Sequence, residues 1–373
     1  MRRDLGNPQL RSLRTSEART SLDGSLAIFR CERRAITPEV LLSRYFIAGG
    51  AGFIGSHMAR RLLQRPDARV LVYDNFRSGR AWHLPDDRRL TLVREDLKHL
   101  ESVTEAIAGS DVVFHFASNP DIAKAATQPD IDFWEGTLLT QNLLEAMRIA
   151  GVPRLIYASG SGVYGDTGET AVTENYSPLL PISTYGASKL ACEALICSYT
   201  HMFDLHGVGF RFANVVGPRQ THGVAYDFIR RLLENPIRLE ILGDGQQSKS
   251  YIHVSDVVDA LLLVLDRNWE GFDVLNVATE DYVTVQQIAD LVVNRLGLSR
   301  VAYTYTGGNR GWKGDVPVVR FDTTKLRQLG WRNQRTSIEA LTDSIDSMIV
   351  DAKAGMFAQK ATSTASGSCK PTV

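Results

Sequence analysis

Short apolar runs of strand length recur along the chain: Tyr45–Ala48, Val70–Tyr73, Leu90–Val93, Asp111–Phe116, Arg154–Ala158 and Val208–Phe212. Between them lie longer segments with apolar residues at helical spacing, among them Ile54–Gln64, Ile131–Ala150 and Thr184–His206. Nearly continuous apolar strands alternating with amphipathic helices predict an α/β fold, a doubly wound parallel sheet covered on both faces. No internal repeat is visible. After Asn214 the alternation loosens under proline and glycine breaks. A smaller α+β substrate domain is therefore expected from the C-terminal third.

Composition changes the picture mainly at the ends. Residues 1–44 hold nine arginines, five acids and no lysine, and their apolar residues follow no period. Such a segment buries too little surface to offset its ordering entropy, so a disordered extension is expected there. Asp4, Glu17, Asp23, Glu32 and Glu39 argue against a transit peptide, and Arg2-Arg3 lacks the apolar core of an export signal. The stretch 355–373 is low in complexity and reads as a flexible tail. In the 373-residue chain 42 basic side chains balance 42 acidic ones, which disfavours a nucleic-acid partner. No apolar stretch is long enough for a spanning helix, so no membrane partner is expected. Cys31, Cys192, Cys197 and Cys369 fit neither a disulfide framework nor a metal site, and a cytoplasmic location follows as the expectation.

Gly49-Gly50-Ala51-Gly52-Phe53-Ile54-Gly55 follows the first strand and opens a helix. Glycines at 49, 52 and 55 permit a tight turn and close approach of backbone N–H groups to a pyrophosphate, which the helix dipole also favours. Asp74 closes the second strand nineteen residues after Gly55, where a carboxylate can accept from ribose hydroxyls and repel a 2′-phosphate. The combination points to NAD rather than NADP. Asp96 and Leu97, after the third strand, would flank the adenine, although Asp96 could equally cap a helix.

Tyr185 and Lys189 are four apart, on one face of a helix. An ammonium beside a phenol favours the phenolate, and an oxidised nicotinamide ring adds a second positive charge. Both bring a pKa near 10 toward the range of a general base. With these residues in hand, the chain resembles the extended short-chain dehydrogenases/reductases of the nucleotide-sugar epimerase/dehydratase family. The resemblance rests on Gly49–Gly55, Asp74-Asn75, His115-Phe116-Ala117, Val163-Tyr164-Gly165, Tyr185–Lys189, Arg211–Arg219, Gly243-Asp244-Gly245 and Tyr251–Asp256, and spans residues 45 to 350. Gly223–Ile229 and Arg310–Asp315 look most like archaeal-type UDP-glucose 4-epimerases.

The resemblance implies a Rossmann-type NAD-binding domain over 45–220, with about 250–278 returning to it, and a mainly nucleotide-sugar-binding domain over 221–350. It implies that Tyr185 is the base and Lys189 its partner on the nicotinamide ribose. It also implies that Gly49, Gly52, Phe53, Ile54, Gly55, Asp74, Asn75, Asp96, Leu97 and Ala117 hold the cofactor. Asn214, Lys249 and Arg310 would touch the diphosphate of a nucleotide-diphosphate sugar, Lys249 standing where many relatives have arginine. Relatives pair helices such as Ile131–Ala150 and Thr184–His206 across a two-fold axis, so a homodimer is expected. His253 reads as structural.

The chain departs from the family after the fifth strand. Its serine or threonine that bonds the reacting hydroxyl falls on Gly160, and the glutamate of dehydratases and decarboxylating relatives falls on Gly162. The family asparagine on the helix after the fourth strand falls on Gly136. Ser161, Ser159 or a water is expected to replace the missing hydrogen bond; alternatively, the glycines make room for an unusual substrate. The expected activity is an NAD-dependent nucleotide-sugar 4-epimerase working through a transient 4-keto sugar. A dehydratase with relocated acid–base groups and a non-catalytic NAD-binding regulatory protein are the alternatives.

Overall fold

The computed structural model describes residues 43–358. Of the extension expected over 1–44 and the tail expected over 355–373, residues 1–42 and 359–373 lie outside the described residues, whereas Ser43 and Arg44 already belong to the first strand and Met356–Ala358 form a 3-10 turn. Seven strands form one parallel sheet: β1 Ser43–Ala48, β2 Ala68–Tyr73, β3 Leu90–Val93, β4 Val112–His115, β5 Arg154–Gly160, β6 His206–Phe212 and β7 Phe272–Val277. Their order is 7-6-5-4-1-2-3, so the chain reverses direction across the sheet between β1 and β4. That reversal leaves a crevice at the carboxyl ends of the strands, where ligands of such sheets bind.

Two apolar layers sandwich the sheet. On one side Ile47, Val72, Phe114 and Phe210 pack under α1 (Phe53–Leu62), which supplies Met58, Ala59 and Leu62. On the other, Phe46, Tyr73, Val113 and Tyr157 meet the buried faces of α2 (Leu100–Ile107), α3 (Leu138–Ala150) and α4 (Thr184–Met202). Alternate residues of each strand thus serve opposite layers, as the period of two requires.

A third core lies in the C-terminal part. It gathers Phe228 and Ile229 of α5 (Val224–Glu234), Ile288 and Val292 of a helix over Val285–Arg295, and Leu341, Ile345 and Met348 of the last helix, Ser337–Lys353. Short strand pairs join it, Asn214–Val216 with Tyr251–His253 and Arg238–Ile241 with Ala302–Tyr305, both parallel. Among the described residues no helix is long and apolar enough to cross a membrane.

Two helix expectations need correction. Ile131–Ala150 is not one α-helix: a π-turn over Phe133–Thr137 precedes α3. A Cβ on Gly136 would come within 2.4 Å of the Ser188 hydroxyl, which donates to Asp132 O at 2.7 Å, so the turn widens around that hydroxyl. Thr184–His206 ends at Met202, because Asp204 adopts a left-handed φ of 53° and His206 N already donates to Pro153 O.

Candidate functional site

The glycine turn runs from the end of β1 into α1. Gly49 has φ 76°, and a Cβ there would meet Ala117 N at 2.6 Å; one on Gly55 would meet Gly49 O at 2.4 Å. Only glycine lets these segments close. Gly52 caps α1 without a side-chain bond, and Ser56 N is the amide that donates back to Gly52 O. The amides of Phe53, Ile54 and Gly55 therefore belong to the unpaired first turn, which suits a pyrophosphate. These backbone constraints fit the dinucleotide that the sequence implies.

At the end of β2, Asp74 is 8% exposed and accepts from Ala51 N at 2.9 Å and Phe76 N at 2.8 Å. Burial pushes its carboxyl above the ordinary range, while the two amides pull it back. Asn75 Nδ2 donates to Asp96 Oδ2 at 2.9 Å, which joins the loops after β2 and β3. Asp96 Oδ1 accepts from Lys98 N, and α2 begins only at Leu100 after an unbonded cap at His99, so Asp96 does not cap that helix. Leu97 is buried beside them, and Ala117 N donates to Ala48 O against the glycine turn.

Tyr185 and Lys189 occupy one face of α4. Ser183 starts this helix by accepting from Gly186 N. Thr184 donates to Asp132 Oδ2 and Asn119 to Asp132 Oδ1, tying the helix start to the segment after β4. The Lys189 ammonium is buried, donates to Ala158 O at 2.7 Å and lies 5.5 Å from the Tyr185 ring centre. An anchored cation beside a half-buried phenol is an arrangement that can assist proton removal.

The loop after β5 faces this pair. A Cβ on Gly160 would meet no atom within 4 Å, so the position where relatives carry a hydroxyl opens onto free space. A Cβ on Gly162 would lie 3.2 Å from Gly186 Cα and 3.9 Å from Tyr185 Cδ1, so α4 packs against the bare backbone there. The candidate replacement donors separate. Ser159 is buried and donates to Glu193 Oε1 at 2.5 Å, which removes it from contention. Ser161 is half-buried in the turn Ser161–Val163, and its hydroxyl makes no bond among the described residues.

Lys249 and Arg310 meet at Asp315, a residue that sequence reasoning passed over, while Asn214 reaches only the backbone next to Lys249. Asn214 donates from N and Nδ2 to Ser250 O, beside Lys249. Lys249 Nζ lies 2.7 Å from Asp315 Oδ1, and Arg310 donates to Asp315 O and to Asp166 Oδ2, both at 2.5 Å. Asp315 also accepts from Gly311 N. Its position at the end of the Arg310–Asp315 run was the available signal. His253 is buried, its Nδ1 accepts from Ser255 N at the start of the helix Val254–Leu265, and its Nε2 lies 3.0 Å from Asp343.

Residues 45–278, carrying the glycine turn, Asp74, Tyr185, Lys189 and Asn214, match the model of the NAD dependent epimerase/dehydratase family. The chain belongs to that family. It is 30% identical over 293 residues to a putative UDP-glucose 4-epimerase of Methanocaldococcus jannaschii, covering 77% of this chain and 92% of that protein. A crystal structure of a UDP-galactose 4-epimerase superposes with a TM-score of 0.73 at 38% identity, over 83% of this chain and 99% of the other. Another, of a Thermus thermophilus UDP-glucose 4-epimerase in complex with NAD, gives 0.73 at 31% identity, over 82% and 99%. As a member of this NAD-dependent family, the chain takes NAD as its cofactor.

Proposed function

We propose that the protein is an NAD-dependent nucleotide-sugar 4-epimerase acting on a UDP-sugar, with residues 221–350 mainly supplying the sugar-nucleotide surface. The observation that carries this reading is the Tyr185–Lys189 pair on α4, set against a loop that bears no carboxylate at Gly162. Tyr185 takes the proton from the sugar's 4-hydroxyl and later returns it. Lys189, held at Ala158 O, keeps positive charge beside the phenol and has two further N–H donors for the nicotinamide ribose. NAD, which the glycine turn and Asp74 would hold, would supply a reversible hydride acceptor for carbon 4 of the sugar. Ser161 donates to the reacting oxygen across the space above Gly160. Lys249, Arg310 and Asn214 hold the diphosphate, which leaves the sugar free to turn over at its 4-keto stage.

A dehydratase needs a second base beside the sugar. Gly162 supplies none, and a Cβ there would lie 3.2 Å from Gly186 Cα, so a side chain would need α4 to shift by a few tenths of an ångström. That supports epimerisation over elimination.

The proposal includes a homodimer through α3 and α4 and a cytoplasmic location. Ile149 at 53% exposure and Met202 at 69% are apolar side chains on those helices in need of a partner surface. Cys192 and Cys197 are free thiols, which suits a reducing compartment.

The test uses purified protein with no added cofactor and a panel of UDP-hexoses, UDP-N-acetylhexosamines and UDP-uronic acids. A product of unchanged mass, shown by NMR to be inverted at carbon 4, is expected from one of them. Tyr185→Phe should lower kcat by at least about a hundredfold, the usual scale for a lost general base. Loss of water or carbon dioxide from the substrate would replace this reading with elimination chemistry.

A further inference from the structure

Glu135 sits in the π-turn after β4, with a side chain only 11% exposed. Its Oε1 takes two cations at once: Arg77 Nη1 at 2.5 Å and Lys98 Nζ at 2.6 Å. Arg77 comes from the loop after β2, three residues beyond Asp74. Lys98 comes from the loop after β3, two residues beyond Asp96, and the Asn75–Asp96 bond already joins these loops. In the strand order 3-2-1-4, one carboxylate thus gathers the loops of β2 and β3 to the segment after β4, across the strand that carries the glycine turn.

We propose that Glu135 is a determinant of NAD specificity, acting by neutralising Arg77 and Lys98 so that neither recruits a 2′-phosphate. This rests on the reading of the crevice as a dinucleotide site. The chemistry of the two cations makes the point. An arginine three residues beyond Asp74 and a lysine on the neighbouring loop, joined to it by the Asn75–Asp96 bond, are the side chains that would grip a phosphate on the ribose 2′-oxygen. A carboxylate at hydrogen-bond distance from both takes one donor of each, draws both heads onto Glu135 and cancels one of their two charges. Asp74 repels the phosphate from below, and Glu135 withdraws the cations that could offset that repulsion. A third cation, Arg94, is turned away in another manner, its guanidinium stacked 5.0 Å from the Phe76 ring centre. Glu135 touches neither Tyr185 nor Lys189, so its effect is on the choice of cofactor and not on proton transfer.

The experiment reads a ratio, which a general loosening of the fold does not move. Wild-type protein, Glu135→Gln and Glu135→Ala are each incubated with an equimolar mixture of NAD and NADP until exchange is complete. Free nucleotide is then removed, the protein denatured, and both released cofactors quantified by chromatography. Wild type should release almost only NAD. Each Glu135 variant should raise the NADP-to-NAD ratio by about tenfold or more, the scale of one freed charge-assisted hydrogen bond. Adding Arg77→Ala and Lys98→Ala to the Glu135→Gln protein should return the ratio to that of wild type. An unchanged ratio in both folded Glu135 variants overturns the proposal, as does a raised ratio that survives loss of both cations. If wild type releases neither nucleotide, the dinucleotide reading beneath the proposal fails instead.

Discussion

Gly160 lacks the hydroxyl that the family resemblance implies at this position, and the open space around it makes that departure testable. A hydroxyl introduced there meets no steric obstacle, and the family resemblance implies a donor to the reacting oxygen at this position. Gly160→Ser is expected to raise kcat by about tenfold with little change in KM, since a single well-placed donor in such sites carries at least that much. Steady-state kinetics on the substrate found in the panel would check it. A fall in kcat would mean that the substrate itself fills the space. Legibility at this scale was high for backbone-determined residues. Gly49 and Gly55 are demanded by contacts under 3 Å, so their pattern survives in sequence as glycine and nothing else. The choice between Ser159 and Ser161 was not legible, because it turns on Glu193, thirty-four residues from Ser159 and in contact only through the fold.

At the scale of elements, a buried network fixes the loop after β5 against α4. Arg211 on β6 pairs with Glu193 on α4 through Nε at 3.0 Å and Nη2 at 2.7 Å, with both side chains 4% exposed. Ser159 donates to the same carboxylate, and Arg211 Nη1 reaches the Tyr164 hydroxyl, which donates to Asn276 on β7 at 2.6 Å. Glu193 follows Lys189 by one turn, so this pair fixes the helix that carries Tyr185. Glu193→Gln leaves a buried guanidinium without its counter-charge and should lower unfolding free energy by about 3 kcal/mol. Urea denaturation followed by circular dichroism measures this, and a change below about 1 kcal/mol would show the network to be dispensable. Most strands were legible to within two residues, because nearly continuous apolar runs declare buried strands. The π-turn at Phe133–Thr137 was not. Its cause is the Ser188 hydroxyl of another helix, and apolar periodicity carries no record of a neighbour.

Across the whole molecule, burial has a consequence for pH. Burial depresses His57 and His83 to about 4 and His115 to about 3, with Lys189 adding to the effect on His115. A histidine whose pKa is lower folded than unfolded gives stability that is complete above about pH 6.5 and lost as pH falls, since only the unfolded chain takes up the proton. His222 and His253 shift in the same direction. Burial raises Asp74, Asp227, Asp256 and Asp351, which act in the opposite sense but only on approach to the carboxylate range. Unfolding free energy should therefore drop by about 4 kcal/mol between about pH 7.5 and pH 5.5, roughly 1.4 kcal/mol for each of His57, His83 and His115. Urea titrations at the two pH values check this, and a flat profile would mean that the rings protonate in the folded state.

By itself the sequence determined the sheet class, the dinucleotide turn, the acid after β2 and the Tyr–Lys helix. Each of these is a local pattern: a strand period, a glycine spacing, a one-turn separation along a helix. The tertiary structure alone decided what those patterns face. It set Gly160 before open space and Gly162 against α4, committed Ser159 to Glu193, and brought Lys249 and Arg310 to Asp315. It also drew Arg77 and Lys98 onto Glu135. Such partners stand tens of residues apart along the chain in most of these cases. Hydrogen bonds and ion pairs act over a few ångströms of space, and only the packing of the elements turns distance along the chain into proximity.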